Sequence, residues 1–324
     1  MVSSISTCVA GVSTVGVLFG VALIPAGSAF AAGGCAAGAT LVAPGICEIT
    51  FAETPGSAWT PPAGITKLQA LLVGGGGAVG AYNEYGGGGG DVILVELNTN
   101  GSVAVEVGVG GLNAGNIAST DSSVEQGAIS QVAVGGENSH YVSGGASGNG
   151  FEGAQDGSGA GAGGSAIGNG AGEGLIVNEI DSSFDLFADD DRCFGGGGVD
   201  VNSFRDGGNV VVEMQSESCG GENGGGLSMP ASVVDSGGWW SFVGADDDLV
   251  MTAIVPNTGN GGSSLRGIHY IRQNGSDGVV VLRYDATLAA TGFESTGALA
   301  LGFALFGIGV ALATRRRRTD TVSA

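Results

Sequence analysis

Hydrophobic positions in this chain recur at every second residue more clearly than at helical spacing. Val103, Val105, Val107 and Val109 alternate with small or charged neighbours, a period that predicts a strand with one buried face and one wet face. Cys47-Glu48-Ile49-Thr50-Phe51 alternates in the same way, while Ile65 to Val73 and Val279 to Tyr284 are rich enough in apolar residues for central strands. Asp91 to Leu97 predicts a further strand. The turn residues Asn98-Thr99-Asn100-Gly101 between it and Ser102 to Val109 predict a hairpin. Apolar segments return at Leu175 to Ile180, Val210 to Met214, Trp239 to Val243 and Leu249 to Val255. No stretch before the C-terminal tail has a helical period, so the body is predicted to be all-β.

Strands at both ends bracket a middle from Gly110 to about Gly174 in which apolar content thins out. Glycine accounts for 67 residues of the chain and proline for only 7, and there is no strict every-third-residue repeat, which excludes collagen. Ordering glycine costs more backbone entropy than ordering any other residue. The glycine runs therefore have two outcomes: flexible solvated loops, or polyglycine-II segments packed so closely that bare backbones bond to one another.

The two termini differ from the body. Val9 to Ile24 is mostly apolar, and Ala29-Phe30-Ala31 offers small residues where a signal peptidase reads, predicting cleavage between Ala31 and Ala32. Near the other end, Ala298 to Ala313 is apolar or small and is followed by Arg315-Arg316-Arg317-Arg318. That run, about 24 Å of helix at 1.5 Å per residue, predicts a membrane helix over 298–314 with the arginines cytoplasmic and the body outside. Leu288-Ala289-Ala290-Thr291-Gly292, the apolar run and the basic end together resemble the cell-wall sorting signal of Gram-positive surface proteins, in the LAxTG variant. The resemblance implies cleavage between Thr291 and Gly292 by a class E-like sortase and attachment to peptidoglycan. The expected organisation is a signal peptide (1–31), a segment with Cys35 and Cys47 (32–50), a glycine-rich domain (51–284), the sorting motif and linker (285–297), the membrane helix, and a basic tail (315–324).

Export makes the cysteines informative. Cys8 falls in the leader, leaving Cys35, Cys47, Cys193 and Cys219, an even number that predicts two disulfides. Three connectivities are open, and the sequence-near pairs Cys35–Cys47 and Cys193–Cys219 are preferred. Each would stabilise the fold by about 3 kcal/mol through loop closure in the unfolded chain.

Charge narrows the partners. Against 31 acidic side chains stand 10 basic ones, four of them in the tail, so nucleic acid is excluded as a partner by repulsion. Two histidines leave histidine-based catalysis and metal clusters without parts. Calcium is the candidate cofactor: Gly86 to Ile93 fits a G-G-x-G-x-D-x-U unit containing Asp91, and Asp189-Asp190-Asp191 and Asp246-Asp247-Asp248 place hard oxygen ligands together. A calcium roll, however, uses tandem repeats, and adjacent carboxylates are more often simply solvated. Lys67 is the sole lysine, which argues against a polymerised shaft.

Pro62-Ala63-Gly64, Leu71-Leu72-Val73-Gly74, Val107-Gly108-Val109-Gly110-Gly111 and Gly278-Val279-Val280-Val281-Leu282-Arg283-Tyr284 together resemble the bacterial glycine-rich domain of many exported proteins. The resemblance runs from about Phe51 to Tyr284, interrupted by Val199 to Met214 and Asp235 to Val255. It implies a β-sandwich-like body with glycine-rich loops or polyglycine helices, and no known catalysis. The expected function is that of a non-enzymatic, wall-anchored surface protein, structural or adhesive. The alternative is a single-pass membrane-anchored binding module, a calcium-binding adhesin whose tail is not cleaved, or one whose acidic or Trp239-Trp240 surface engages a ligand.

Overall fold

The computed structural model describes residues 35–286, apart from 54–56, 81–84, 156, 168–170, 207–208, 216–226, 229–233, 236–238, 245–249, 252–255 and 267–270. The segments expected to be a signal peptide (1–31), a sorting motif and linker (285–297), a membrane helix (298–314) and a basic tail (315–324) lie outside these residues, save 285–286. Among the described residues no helix is long and apolar enough to cross a membrane.

Strands dominate. The first half holds β1 (Thr40–Ala43), β2 (Ile46–Phe51), β3 (Ser57–Trp59), β4 (Leu68–Val73), β5 (Val92–Glu96), β6 (Val103–Glu106), β7 (Ser122–Gln126) and β8 (Ile129–Ala133). The second half adds β9 (Leu175–Ile176), a single helical turn α1 (Val177–Ile180), β10 (Cys193–Phe194), β11 (Asp200–Asp206), β12 (Asn209–Gln215), β13 (Leu227–Ser228), β14 (Val234–Asp235), β15 (Trp239–Gly244), β16 (Val250–Met251), β17 (Ser264–Arg266), β18 (Ile271–Arg272) and β19 (Val279–Asp285). A five-stranded antiparallel sheet, β1-β2-β19-β4-β5, faces a four-stranded one, β3-β6-β7-β8.

Alternation sorts the five-stranded sheet's side chains between two cores. Leu68, Ala70, Leu72, Val280, Leu282 and Tyr284 pack against Val103, Val105, Val124 and Ala133 of the facing sheet. The intervening Leu71, Val73, Val279 and Val281 pack with Val177, Leu186, Phe187 and Phe194, from a segment over 175–194 that caps the outer face. Burial on both faces is why β4 and β19 read as apolar runs interrupted only by Gln69 and by Arg283 and Asp285.

One expectation is corrected here. β5 and β6 do not form a hairpin: β5 pairs with β4 in one sheet, and β6 pairs with β3 and β7 in the other. Residues 98–101 carry the chain between the sheets, so that Ile93 and Val95 meet Val103 and Val105 across the core. Gln126, buried at the end of β7, holds this crossing: it accepts from Asn98 N–H at 2.7 Å and donates through Nε2 to the carbonyls of Asn98, Asn100 and Gly101. Gln126→Ala should cost about 1–2 kcal/mol, water replacing part of what an exposed loop loses. A lower guanidinium midpoint at unchanged slope would show it; an unchanged midpoint would mean that the strands fix the crossing without it.

Beyond the sandwich, strands run on as glycine helices. Segment 74–80 continues β4, 86–91 leads into β5, 134–138 follows β8, and 273–278 leads into β19. The hydrogen bonds identify their conformation. Gly74 and Gly77 donate to Asp91 and Gly88, Gly87 and Gly90 to Gly262 and Gly259, Gly88 and Asp91 to Glu137 and Val134. Each partner is met at every third residue rather than every second, the period of a three-residue-per-turn helix. Segment 86–91 lies at the centre: Gly145 and Gly148 donate to Gly86 and Gly89, Gly198 donates to Gly87, and Gly89 donates to Ala160. Of the two outcomes the composition allowed, these runs adopt the ordered one. Hydrogen bonds in all directions offset the entropy cost of ordering glycine.

The interruptions of the glycine pattern have their own place. Val199 to Met214 and Asp235 to Val255 supply β11, β12, β14 and β15, which with β17 and β18 form a six-stranded sheet ordered β14-β15-β12-β11-β17-β18.

Candidate functional site

Charged side chains gather where the cap meets the five-stranded sheet. Register sets Arg283 of β19 opposite Glu48 of β2, both on the face turned toward the cap. The Arg283 guanidinium donates from Nε to Glu48 Oε2 at 2.8 Å and from Nη1 to the Leu186 carbonyl at 3.0 Å, and its Nη2 lies 2.8 Å from Asp190 Oδ2. Arg192 closes the group, with Nη2 at 2.6 Å from Asp190 Oδ2 and 3.0 Å from Glu48 Oε2. The Phe187 ring lies 4.5 Å beneath the Arg283 guanidinium. Beside the group, Gln69 accepts from Leu186 N–H at 3.1 Å.

The electrostatics follow from this geometry. Burial alone would raise the Asp190 pKa, but hydrogen bonds from Arg192 and the charges of Arg192 and Arg283 outweigh it and hold the carboxyl below the usual aspartate range. Two carboxylates thus meet two guanidiniums with every charge answered, an arrangement that ties cap to sheet. Sequence reasoning missed the cluster. The available signal was a lone arginine inside the apolar run Val279 to Tyr284, in a body with very few basic residues.

The predicted disulfide Cys35–Cys47 is present, with Cα atoms 5.5 Å apart and Cys47 fully buried in β2. Cys193 is also disulfide-bonded; Cys219 lies outside the described residues. The candidate calcium ligands are dispersed. Asp190 is taken up by the two arginines, with Asp189 and Asp191 exposed on either side of it. Asp91 sits in the glycine helices, where burial pushes its carboxyl up, and the carbonyls of Gly86 to Gly89 around it already accept hydrogen bonds. Asp246, Asp247 and Asp248 lie outside the described residues, among which no three His, Cys, Asp or Glu side chains could hold a metal ion together. Leu288, Ala289, Ala290, Thr291 and Gly292 are likewise outside.

Lys67 directly precedes β4 and lies 2.7 Å from Asp185, both side chains reaching solvent. His140 Nε2 lies 2.9 Å from Glu137 Oε2 on the surface. A cleft of about 530 Å³ opens beside Leu112, Asn113, Arg272, Asn274 and Asp277. Its wall is internally bonded: Asn113 donates to Asn274 Oδ1 and to the Arg272 carbonyl, and Gly110 donates to Asp277 Oδ1.

The model of one protein family, described as a glycine-rich domain, matches residues 52–285. No curated protein matches the chain.

Proposed function

The chain belongs to the glycine-rich domain family, and from that premise we propose that it is a non-enzymatic cell-surface protein, exported and joined through Thr291 to peptidoglycan by a class E-like sortase, with a structural or adhesive role. The observation that carries the reading is the Cys35–Cys47 disulfide, a bond that persists in oxidising compartments, in a chain ending in a sorting-like pentapeptide, apolar run and four arginines. The body supports it. Backbone hydrogen bonds between glycine helices hold its distal part together, and Glu48, Asp190, Arg192 and Arg283 neutralise one another between cap and sheet. Ala286 still donates to the Gly45 carbonyl, and Leu288 opens the pentapeptide two residues later.

Wall material released by muramidase and digested with trypsin should yield a peptide that starts at Tyr284, after cleavage following Arg283, and ends at Thr291 carrying a stem-peptide fragment. Thr291→Ala should move the protein from the wall to the membrane fraction. Peptides of the unaltered protein that read through Gly292 into the apolar run would overturn anchoring and favour the single-span reading.

A further inference from the structure

The strand that leads to the C-terminal tether is also the central strand of its sheet. β19 is hydrogen-bonded along its whole length on both sides, to β2 from Val280↔Phe51 to Asp285↔Ile46 and to β4 from Val279↔Val73 to Tyr284↔Leu68. Its entry end continues from the glycine helices, where Gly278 donates to the Gly108 carbonyl and Ser276 to that of Asn260. Its exit end is fastened by unlike contacts. Arg283 is ion-paired to Glu48 and Asp190, the Tyr284 hydroxyl accepts from Ala36 N–H at 2.9 Å, Asp285 donates to the Lys67 carbonyl, and Ala286 donates to Gly45.

From this we propose that β19 is the force-bearing element of the anchored protein: tension between the glycine-helix end of the body and Thr291 runs along β19 and is resisted in shear by both of its ladders at once. The inference rests on the anchoring proposed above, which supplies the fixed point. Antiparallel ladder bonds lie perpendicular to the strands, so a pull along β19 loads all of them together. A pull across the strands opens them one pair at a time. The same fold offers that weak direction for comparison. Cys35 is bonded to Cys47, and Cys47 stands directly opposite Tyr284. Tension between the N-terminus and Thr291 is therefore delivered to two facing residues at the end of a ladder, and peels β19 from β2 starting there. The protein withstands load entering from its distal loops and yields to load entering from its N-terminus.

The test is single-molecule pulling on the oxidised chain 32–291, held at position 291 and pulled in turn from Tyr141 and from Ala32. Tyr141 is 80% exposed on a loop beyond the glycine helices, so Tyr141→Cys gives a handle without disturbing the core. At equal constant force the Tyr141 geometry should survive at least about tenfold longer, one ladder pair of about 1.4 kcal/mol sufficing for that factor. Tyr284→Phe, which removes only the hydroxyl that receives Ala36 N–H, should shorten survival in the N-terminal geometry more than in the distal one. Equal lifetimes in the two geometries, or a longer one from Ala32, would overturn the proposal. These measurements involve no sortase, so they can fail while the wall peptide is found, and the reverse.

Discussion

Gly88→Ala is expected to unfold the body, or to lower its stability by about 3–5 kcal/mol, the range in which core overpacking becomes exceptional. The methyl group is small; the place is the reason. Gly88 lies in the central glycine helix, and a Cβ built there falls under 3.0 Å from the carbonyl oxygens of Ala146 and Gly145. Those atoms are backbone, fixed by their own bonds: Glu137 donates to the Ala146 carbonyl, and Ala160 to that of Gly145. Relief therefore means separating whole segments, which would strain many hydrogen bonds for one methyl group. With a domain stability of about 5–15 kcal/mol, a pair such as G88A/G89A should leave no folded protein. Gly164→Ala supplies the control, since nothing lies within 4 Å of its Cβ. Its midpoint should move by less than about 0.5 kcal/mol, or rise slightly as the unfolded chain loses freedom. Equal behaviour of the two variants in guanidinium denaturation would refute the close-packed array and restore the flexible-loop reading.

The second large effect is expected at the ion cluster. Arg283→Met removes a guanidinium that is 10% exposed and leaves Glu48 and Asp190 to share Arg192 alone. Breaking a buried pair from one side costs about 3–5 kcal/mol, because a carboxylate remains in a place water hardly reaches. Removing both partners is a different experiment. E48L/R283M keeps the Asp190–Arg192 pair and replaces the other with apolar volume, so it should recover most of the loss. A double variant no more stable than the single would mean that Arg283 acts through its packing on Phe187 and its bond to Leu186 instead.

The same cluster sets an acid limit. The folded pKa of Asp190 lies below its ordinary 3.8, so its contribution is whole above that value and is lost as pH falls through it toward the lower folded value. Asp91 has the opposite sign: its folded pKa is raised, so acidification relieves the cost of its buried charge. Asp190→Asn should therefore flatten the fall in stability below pH 4 and lower the plateau at neutral pH. An unchanged acid limb would place the acid sensitivity in other carboxylates.

How much of this was legible varies by element. β4 and β19 could be read directly, because burial on both faces leaves runs that are apolar from Leu68 to Val73 but for Gln69 and from Val279 to Tyr284 but for Arg283. β6 was legible from its alternation, but its partner was not. Two consecutive strands that pair edge to edge in one sheet, and two that stack face to face across a core, leave the same alternation and the same turn residues. The crossing at 98–101 is chosen by where Leu72 and Val280 lie relative to Val103 and Val105, contacts far apart in the chain. Short pieces such as β9 and α1 were read only as one apolar segment, because four to six residues support either period.

The sequence by itself determined the all-β class, made the sequence-near Cys35–Cys47 pair the preferred one of three connectivities, and marked the glycine runs as either flexible or packed backbone to backbone. Local residue chemistry is enough for these, since period, cysteine spacing and the absence of Cβ atoms are properties of short stretches. Only the tertiary structure decided that the glycine runs are ordered, that Arg283 meets Glu48 and Asp190, and that the chain crosses between sheets after β5. Each of these depends on partners separated by up to 235 residues, as Arg283 and Glu48 are. A glycine run has no pattern of its own from which to read which backbone lies beside it.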